Sequence, residues 1–359
     1  METTNISHKE FLKIDRDYFR SAKLADLVYV NHGEEGIMRT KKGTGFSYSY
    51  KGKPIKDEAT LERIKKLAIP PAWTAVWICA KEAGHIQATG TDAKGRKQYR
   101  YHPQWQALRN ETKFHRLYEF GKQLLSIRMK VEEDLSKREL YEEKVLATVV
   151  SLMERTYIRI GNDDYEKLYG SYGLTTLKDG HVKVAGSTVK FSFKGKKGVY
   201  HKINLRNAKL AKLVQRCKDI PGEELFQYYD REGVAHPVDS GSVNRYIKEA
   251  SGGEFTAKDF RTWAGTLNIL RCFCSMDEPE SESDCKKNIL TALDDVSHKL
   301  GNTRTVCKKY YVHPGIIKLY EEKRLSKYTK ELDAIEKDDN LTGYASDERM
   351  LMKILKELV

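Results

Sequence analysis

The stretch NTRTVCKKYYVHPG, residues 302–315, sets Tyr310 and Tyr311 side by side, with Arg304, Lys308 and Lys309 before them and His313 after. A phenol can be a covalent nucleophile, and it can equally be packing. Adjacency does not decide between the two, because a second pair, Tyr228-Tyr229, occurs in this chain of 21 tyrosines. Two other stretches carry groups suited to anions. In TAKDFRTWAGTLNIL, Thr256 is a suitable N-cap, Asp259 lies in the first turn, and Phe260, Trp263, Leu267 and Leu270 form an apolar face. Arg261 sits near that first turn, off the stripe, against the positive end of the helix dipole. A bound phosphate would account for it, although for this residue alone a surface salt bridge is the simpler reading. In KGRKQYRYH, residues 94–102, Lys94, Arg96, Lys97 and Arg100 interleave with Tyr99 and Tyr101. Cations neutralise phosphates while aromatics meet sugars or bases, so this is a candidate nucleic-acid surface. A plain solvated strand explains it as well.

The whole chain has the same bias. Its 64 Lys and Arg outnumber 51 Asp and Glu, for a formal charge of +13, which favours a polyanionic partner. The 359 residues are enough for two domains. The N-terminus lacks an apolar signal core, and the run AVWICA is far below the ~20 residues of a membrane span, so a soluble cytoplasmic protein is expected. Six cysteines show no CxxC pairing, which fits reduced thiols. No GxxxxGK[ST] loop, HExxH, EF-hand pattern or GxGxxG follows a strand. No cofactor and no metal are therefore expected.

The elements that position these groups follow from periodicity. From Tyr29 to about Tyr101 the signals are short and β-like, with one helix at DEATLERIKKL. Past HPQW long helices take over, for example KVLATVVSLMERTYI, in which Leu146, Val149, Val150, Met153 and Tyr157 recur at helical spacing. The expected class is α+β, with a small β-rich domain over 1–104 and a mainly helical domain over 105–359. Within the latter, HVKVAGSTVKFSFKGKKGVYHKINL alternates like hairpin strands, with Lys196 and Lys197 in a tight turn between Gly195 and Gly198. The helix NILTALDDVSHKLG carries Ile289, Leu293, Val296 and Leu300 on one face and stops at Gly301, which leaves Asn302 at a defined corner. The acidic run DEPESESD, 277–284, reads as a solvated loop, and SDERMLMKILKEL as a capped amphipathic helix.

The order of these features is more telling than any one of them. With Arg159 in RTYIRIGNDDY, Lys196 in FKGKKG, Lys258 and Arg261 in KDFRTWAGT, Asn302 in LGNT and Tyr311 in KKYYVHP, the chain closely resembles the poxvirus-like type IB DNA topoisomerases, especially their bacterial branch. The resemblance runs from about residue 30 to about 320 and includes IPPAW and QATGTDAKGRKQYRYHPQW. It implies a C-shaped clamp around double-stranded DNA, acting as a monomer at the nucleoid. It also implies that Tyr311 is the nucleophile, with Arg159, Lys196, Arg261 and Asn302 around the scissile phosphate. In this superfamily the LG[H/N] corner and the nucleophile stand nine positions apart, and Tyr311, not Tyr310, lies nine after Asn302. Gln87, Lys97, Gln98, Tyr99, Arg100, Tyr101 and Lys258 fall at DNA-contact positions, and Tyr165 and Ser242 are either further phosphate contacts or structural. Asparagine at the corner departs from the histidine usual in poxviral members and tyrosine recombinases, and resembles the bacterial relatives. It donates a hydrogen bond but carries no charge. Lys258, three before Arg261, sets the chain apart from recombinases, which typically have histidine there.

That resemblance implies transient cleavage of one strand through a 3′-phosphotyrosyl bond, relaxation of supercoils of either sign, and resealing without ATP or an obligatory metal. The alternatives are a site-specific tyrosine recombinase and a non-catalytic DNA-binding protein of the same fold.

Overall fold

The computed structural model describes residues 7–14, 17–328 and 343–358. The chain divides into two compact units, residues 1–116 and 117–359. The first begins with helices α1 (His8–Ile14) and α2 (Tyr18–Leu24). Strands β1 (Ile37–Lys42), β2 (Gly45–Tyr50) and β3 (Lys53–Pro54) follow, then α3 (Glu58–Lys66) and β4 (Thr74–Ile78), β5 (Ile86–Thr91) and β6 (Lys97–Tyr101). The strands form one antiparallel sheet in the order β3-β2-β1-β4-β5-β6. Alternation puts Ile37, Val76, Ile78 and Ala88 inside, against Ile64 of α3, whose first turn is capped by the Asp57 carboxylate. A second cluster, Phe11, Ile14, Ala22, Leu27, Trp105 and Leu108, seats α1 and α2.

Helix α4 (Pro103–Ser136) contains the division at 116, and the second unit is mainly helical. It continues with α5 (Glu142–Thr156), α6 (Asp163–Tyr169), β7 (Val182–Ala185), β8 (Thr188–Lys194), β9 (Tyr200–Arg206) and α7 (Ala208–Lys218). Next come β10 (Gln227–Tyr229), β11 (Ala235–Pro237), α8 (Ser240–Ser251), α9 (Ala257–Cys274), α10 (Glu282–Leu300), α11 (Arg304–Tyr310), α12 (Pro314–Glu321) and α13 (Ser346–Leu358). All ladders among the described residues are antiparallel, and the architecture is mixed α and β, with a β-sheet region first and a helical core after it. The expected hairpin is a three-stranded meander, β7-β8-β9, because Gly186 makes a second turn at φ +56°. The acidic run is a loop only in part. Ser281 caps α10, and Glu282 and Asp284 occupy its first turn, where the helix dipole favours carboxylates.

Two helices form the centre of this unit. In α5, eleven of fifteen residues are buried. In α9, every residue from Phe260 to Leu270 is buried. The amphipathic α13 docks on α9 and buries Met350, Leu351, Ile354 and Leu355. Its Glu348 meets Arg128 of α4, which also pairs with Glu154 of α5 at 2.6 Å. This half-buried network satisfies its charges internally. It serves as a contrast for the arginines described next.

Candidate active site

Four of the five residues assigned to catalysis converge. Helix α5 ends because Tyr157 turns left-handed, φ +57°, so Tyr157 is the cap and not part of the helical stripe expected for it. The reversal sends Arg159 across the end of α10. Its backbone is held there by the Leu174 N–H, which donates to the Arg159 carbonyl at 2.8 Å. The guanidinium donates through Nη2 to Asn302 Oδ1 at 2.5 Å and to the Gly301 carbonyl at 3.3 Å. Gly301 ends α10 in the left-handed conformation, as expected of a glycine at a helix C-terminus.

Arg261 is not a surface residue. It is 6% exposed, because the helix that carries it is covered on nearly every side. Its Nη1 donates to the Tyr157 carbonyl and its Nη2 to the Leu300 carbonyl at 2.7 Å. Its guanidinium carbon lies 5.2 Å from the centre of the Tyr311 ring. Tyr311 caps α11, and its N–H donates to the Cys307 carbonyl at 2.9 Å. One turn beyond Arg261, α9 grips the backbone of Tyr311. The Thr266 hydroxyl donates to the Tyr311 carbonyl and accepts from the His313 N–H, each at 3.1 Å. A Cβ on Gly265 would lie 2.5 Å from that carbonyl oxygen and 2.8 Å from Tyr311 Cβ. Gly265 and Thr266 thus seat the tyrosine. Sequence reasoning passed over both, although a glycine in the interior of a helix, costing roughly 1 kcal/mol against alanine, marks a close approach.

The electrostatics are unusual for a folded interior. Among the described residues, neither Arg159 nor Arg261 forms an ion pair with a carboxylate. Burial, then the charge of Arg261, pushes the Arg159 guanidinium below its ordinary value, and burial does the same to Arg261. Cys307 supplies no counter-charge, since burial raises its thiol to about 11. Two buried donors here have no partner among the described residues: Arg261 Nε and Asn302 Nδ2. With Oδ1 held by Arg159, the amide of Asn302 is oriented with its NH₂ free. Unpaired buried cations and donors are costly. An anion with several acceptor oxygens would satisfy them all.

Lys196 stands in the exposed turn between β8 and β9, its Nζ 5.1 Å from the centre of the Tyr165 ring. Lys197 beside it takes φ +61°. Tyr165 itself opens α6, where the Asn162 side chain caps its N–H. Lys258 is exposed in the first turn of α9. Ser242 is buried and closes a capping box with Asp239. In the first unit, Gln87 is buried. Its amide donates to the Glu82 and Gly84 carbonyls at 2.7 and 2.8 Å and accepts from Arg63. On β6, alternation puts Lys97, Tyr99 and Tyr101 on one face, with the two rings stacked 5.8 Å apart and exposed. Gln98 and Arg100 take the other face. Gln98 donates to Asp92 at 3.0 Å, and Arg100 to the Ala68 carbonyl at 2.9 Å.

A buried guanidinium and a partly buried one beside a seated tyrosine make an arrangement suited to holding an anion next to a hydroxyl group. Comparison with known proteins shows the family. Residues 102–339 match the model of the eukaryotic DNA topoisomerase I catalytic core, and residues 45–92 that of the bacterial DNA topoisomerase IB N-terminal domain. The DNA topoisomerase 1B of Acanthamoeba polyphaga mimivirus is 34% identical over 300 residues, covering 81% of this chain and 89% of that protein. The DNA topoisomerase I of monkeypox virus and the DNA topoisomerase 1B of vaccinia virus are each 24% identical over 239 residues, 65% of this chain and 72% of theirs. The chain belongs to the type IB DNA topoisomerase family.

Proposed function

We propose that this topoisomerase relaxes positive and negative supercoils by nicking one strand of duplex DNA through Tyr311 and resealing it, without ATP or an obligatory metal. The observation that carries the reading is the pair Arg159, partly buried, and Arg261, buried, which has no carboxylate partner among the described residues and stands beside Tyr311 with two unpaired donors. A phosphodiester supplies the missing acceptors. Attack by the Tyr311 oxygen on phosphorus gathers charge on the non-bridging oxygens, where the two guanidiniums and the Asn302 amide offer donors. A new P–O bond forms to the tyrosine as the bond to the 5′-oxygen breaks. The phenol proton leaves to solvent, and Lys196 gives a proton to the departing 5′-oxygen. The aryl phosphodiester conserves the bond energy, and because a phenol with pKa ~10 leaves readily, the 5′-hydroxyl reverses the step after the duplex has swivelled. The proposal includes the finer family traits. The units take opposite faces of the duplex as a clamp, the protein works as a monomer at the nucleoid, and Lys97, Tyr99 and Tyr101 lie toward DNA, with Tyr165, Ser242 and Lys258 near the phosphates. No described helix is long and apolar enough to cross a membrane.

The direct test is relaxation of supercoiled plasmid in EDTA without ATP. Unchanged supercoiling overturns the proposal. Two narrower expectations follow from particular residues. Gly265→Ala favours the helix but drives a Cβ into the Tyr311 backbone. Displacing a nucleophile by even 1 Å costs about 10²-fold, so single-turnover cleavage should fall by that order while circular dichroism stays helical. Cleavage at the wild-type rate would show that α9 does not seat the tyrosine. Each Lys or Arg that neutralises a phosphate contributes about 0.9 to the slope of log affinity against log salt. Lys97→Gln should therefore flatten the slope by about one contact's worth. An unchanged slope removes this face of β6 from the DNA.

A further inference from the structure

His201, the second residue of β9, belongs to none of the groups discussed so far, yet it lies against two of them. Its ring stacks on Phe193, its partner across the β8-β9 ladder, at 5.0 Å and 19°. A Cβ added to Gly195 would come within 2.6 Å of His201 Cδ2 and Nε2. A Cβ added to Gly301 would come within 2.3 Å of Cε1 and 3.0 Å of Nε2. The imidazole is thus wedged between two glycines, and each immediately precedes a residue of the site: Lys196 after Gly195, Asn302 after Gly301. The corner on the second side already receives both arginines, through the Leu300 and Gly301 carbonyls.

We propose that His201 is a positioning residue that locks the Lys196 turn to the Asn302 corner, so that the proton donor and the phosphate-binding groups keep a fixed separation. The inference rests on the roles given above to Lys196 and Asn302. A flat ring suits the task, because contacts close enough to exclude a Cβ on both sides leave neither element room to shift. The ring is also held neutral. Burial, then the charges of Arg159 and Arg261, lower its proton affinity. The groove of about 680 Å³ that it lines carries Arg155, Lys202, His298 and Lys299 and no carboxylate. A neutral wedge fills space without adding another cation to compete for the phosphate.

The experiment measures single-turnover cleavage of a duplex with an oxygen or a sulfur at the 5′-bridging position. His201→Ala should slow cleavage of the oxygen substrate by roughly 10- to 100-fold, the cost of a misplaced catalytic group, with DNA affinity little changed. The sulfur leaving group needs almost no proton, so it should restore most of the rate, which a general loss of structure would not allow. Gly195→Ala provides a second route that leaves the histidine in place. Its backbone, at φ −92°, accepts alanine, and any loss comes from the Cβ pressing on the ring. Gly195→Ala should also slow cleavage, and the double variant should be no slower than His201→Ala alone. Wild-type rates for His201→Ala, multiplicative losses in the double variant, or equal slowness on both substrates would each overturn the proposal. An absence of covalent adduct with the wild-type protein would instead overturn the reaction on which it rests.

Discussion

Tyr311→Phe is expected to abolish both covalent protein-DNA adduct and plasmid relaxation while DNA binding stays near normal. The tyrosine is held by its backbone, through Cys307, Thr266 and the close approach of Gly265, and its ring lies beside the Arg261 guanidinium. Phenylalanine keeps every one of these contacts. Only the attacking oxygen is lost, so the effect falls on chemistry and not on folding. Tyr310 makes the natural comparison. It ends α11 with 41% of its surface exposed, and Tyr310→Phe should form adduct at the ordinary rate. The measurement is denaturing electrophoresis of protein linked to labelled DNA. Adduct formed by the Tyr311→Phe protein would transfer the nucleophile elsewhere.

The second large effect concerns the proton given to the 5′-oxygen. Lys196→Ala should slow cleavage by about 10²- to 10⁴-fold, the range for loss of a general acid. The turn that carries Lys196 is exposed, so the substitution removes no core contact. On a 5′-bridging sulfur substrate the alanine variant should recover most of its rate. Arg261→Ala should recover less, because it removes donors from the non-bridging oxygens, where charge still develops. Lys197→Ala keeps the backbone at φ +61° with one side chain exchanged for another, and it should be near normal on both substrates. Equal slowness of Lys196→Ala with oxygen and sulfur would make the lysine a phosphate-neutralising group and assign proton donation to another residue.

Local pattern was enough for much of the frame. The stripe Phe260, Trp263, Leu267 and Leu270, the cap at Thr256 and the stop at Gly301 are all readable from neighbours within a few positions, and each is present. The placement of Asn302 and Tyr311 on either side of one short helix, nine positions apart, is likewise a property of the chain. Three features were not readable. Tyr157 looked like one more residue of a helical stripe, but it is a left-handed cap, and its carbonyl's bond to Arg261 depends on a helix 104 residues away. Arg261 looked like a surface arginine, since nothing within α9 indicates that other elements close over all its sides. His201 looked like an alternating strand residue, yet its contacts with Gly195 and Gly301 arise only when the β8-β9 turn meets the end of α10. The sequence therefore determines helices, caps and spacing, because those depend on short-range sterics and hydrogen bonds. Which polar groups share one site without a counter-ion, as Arg159 and Arg261 do beside Asn302, which lies 143 positions of chain from Arg159, is decided by tertiary packing alone, since burial is a property of the assembled core.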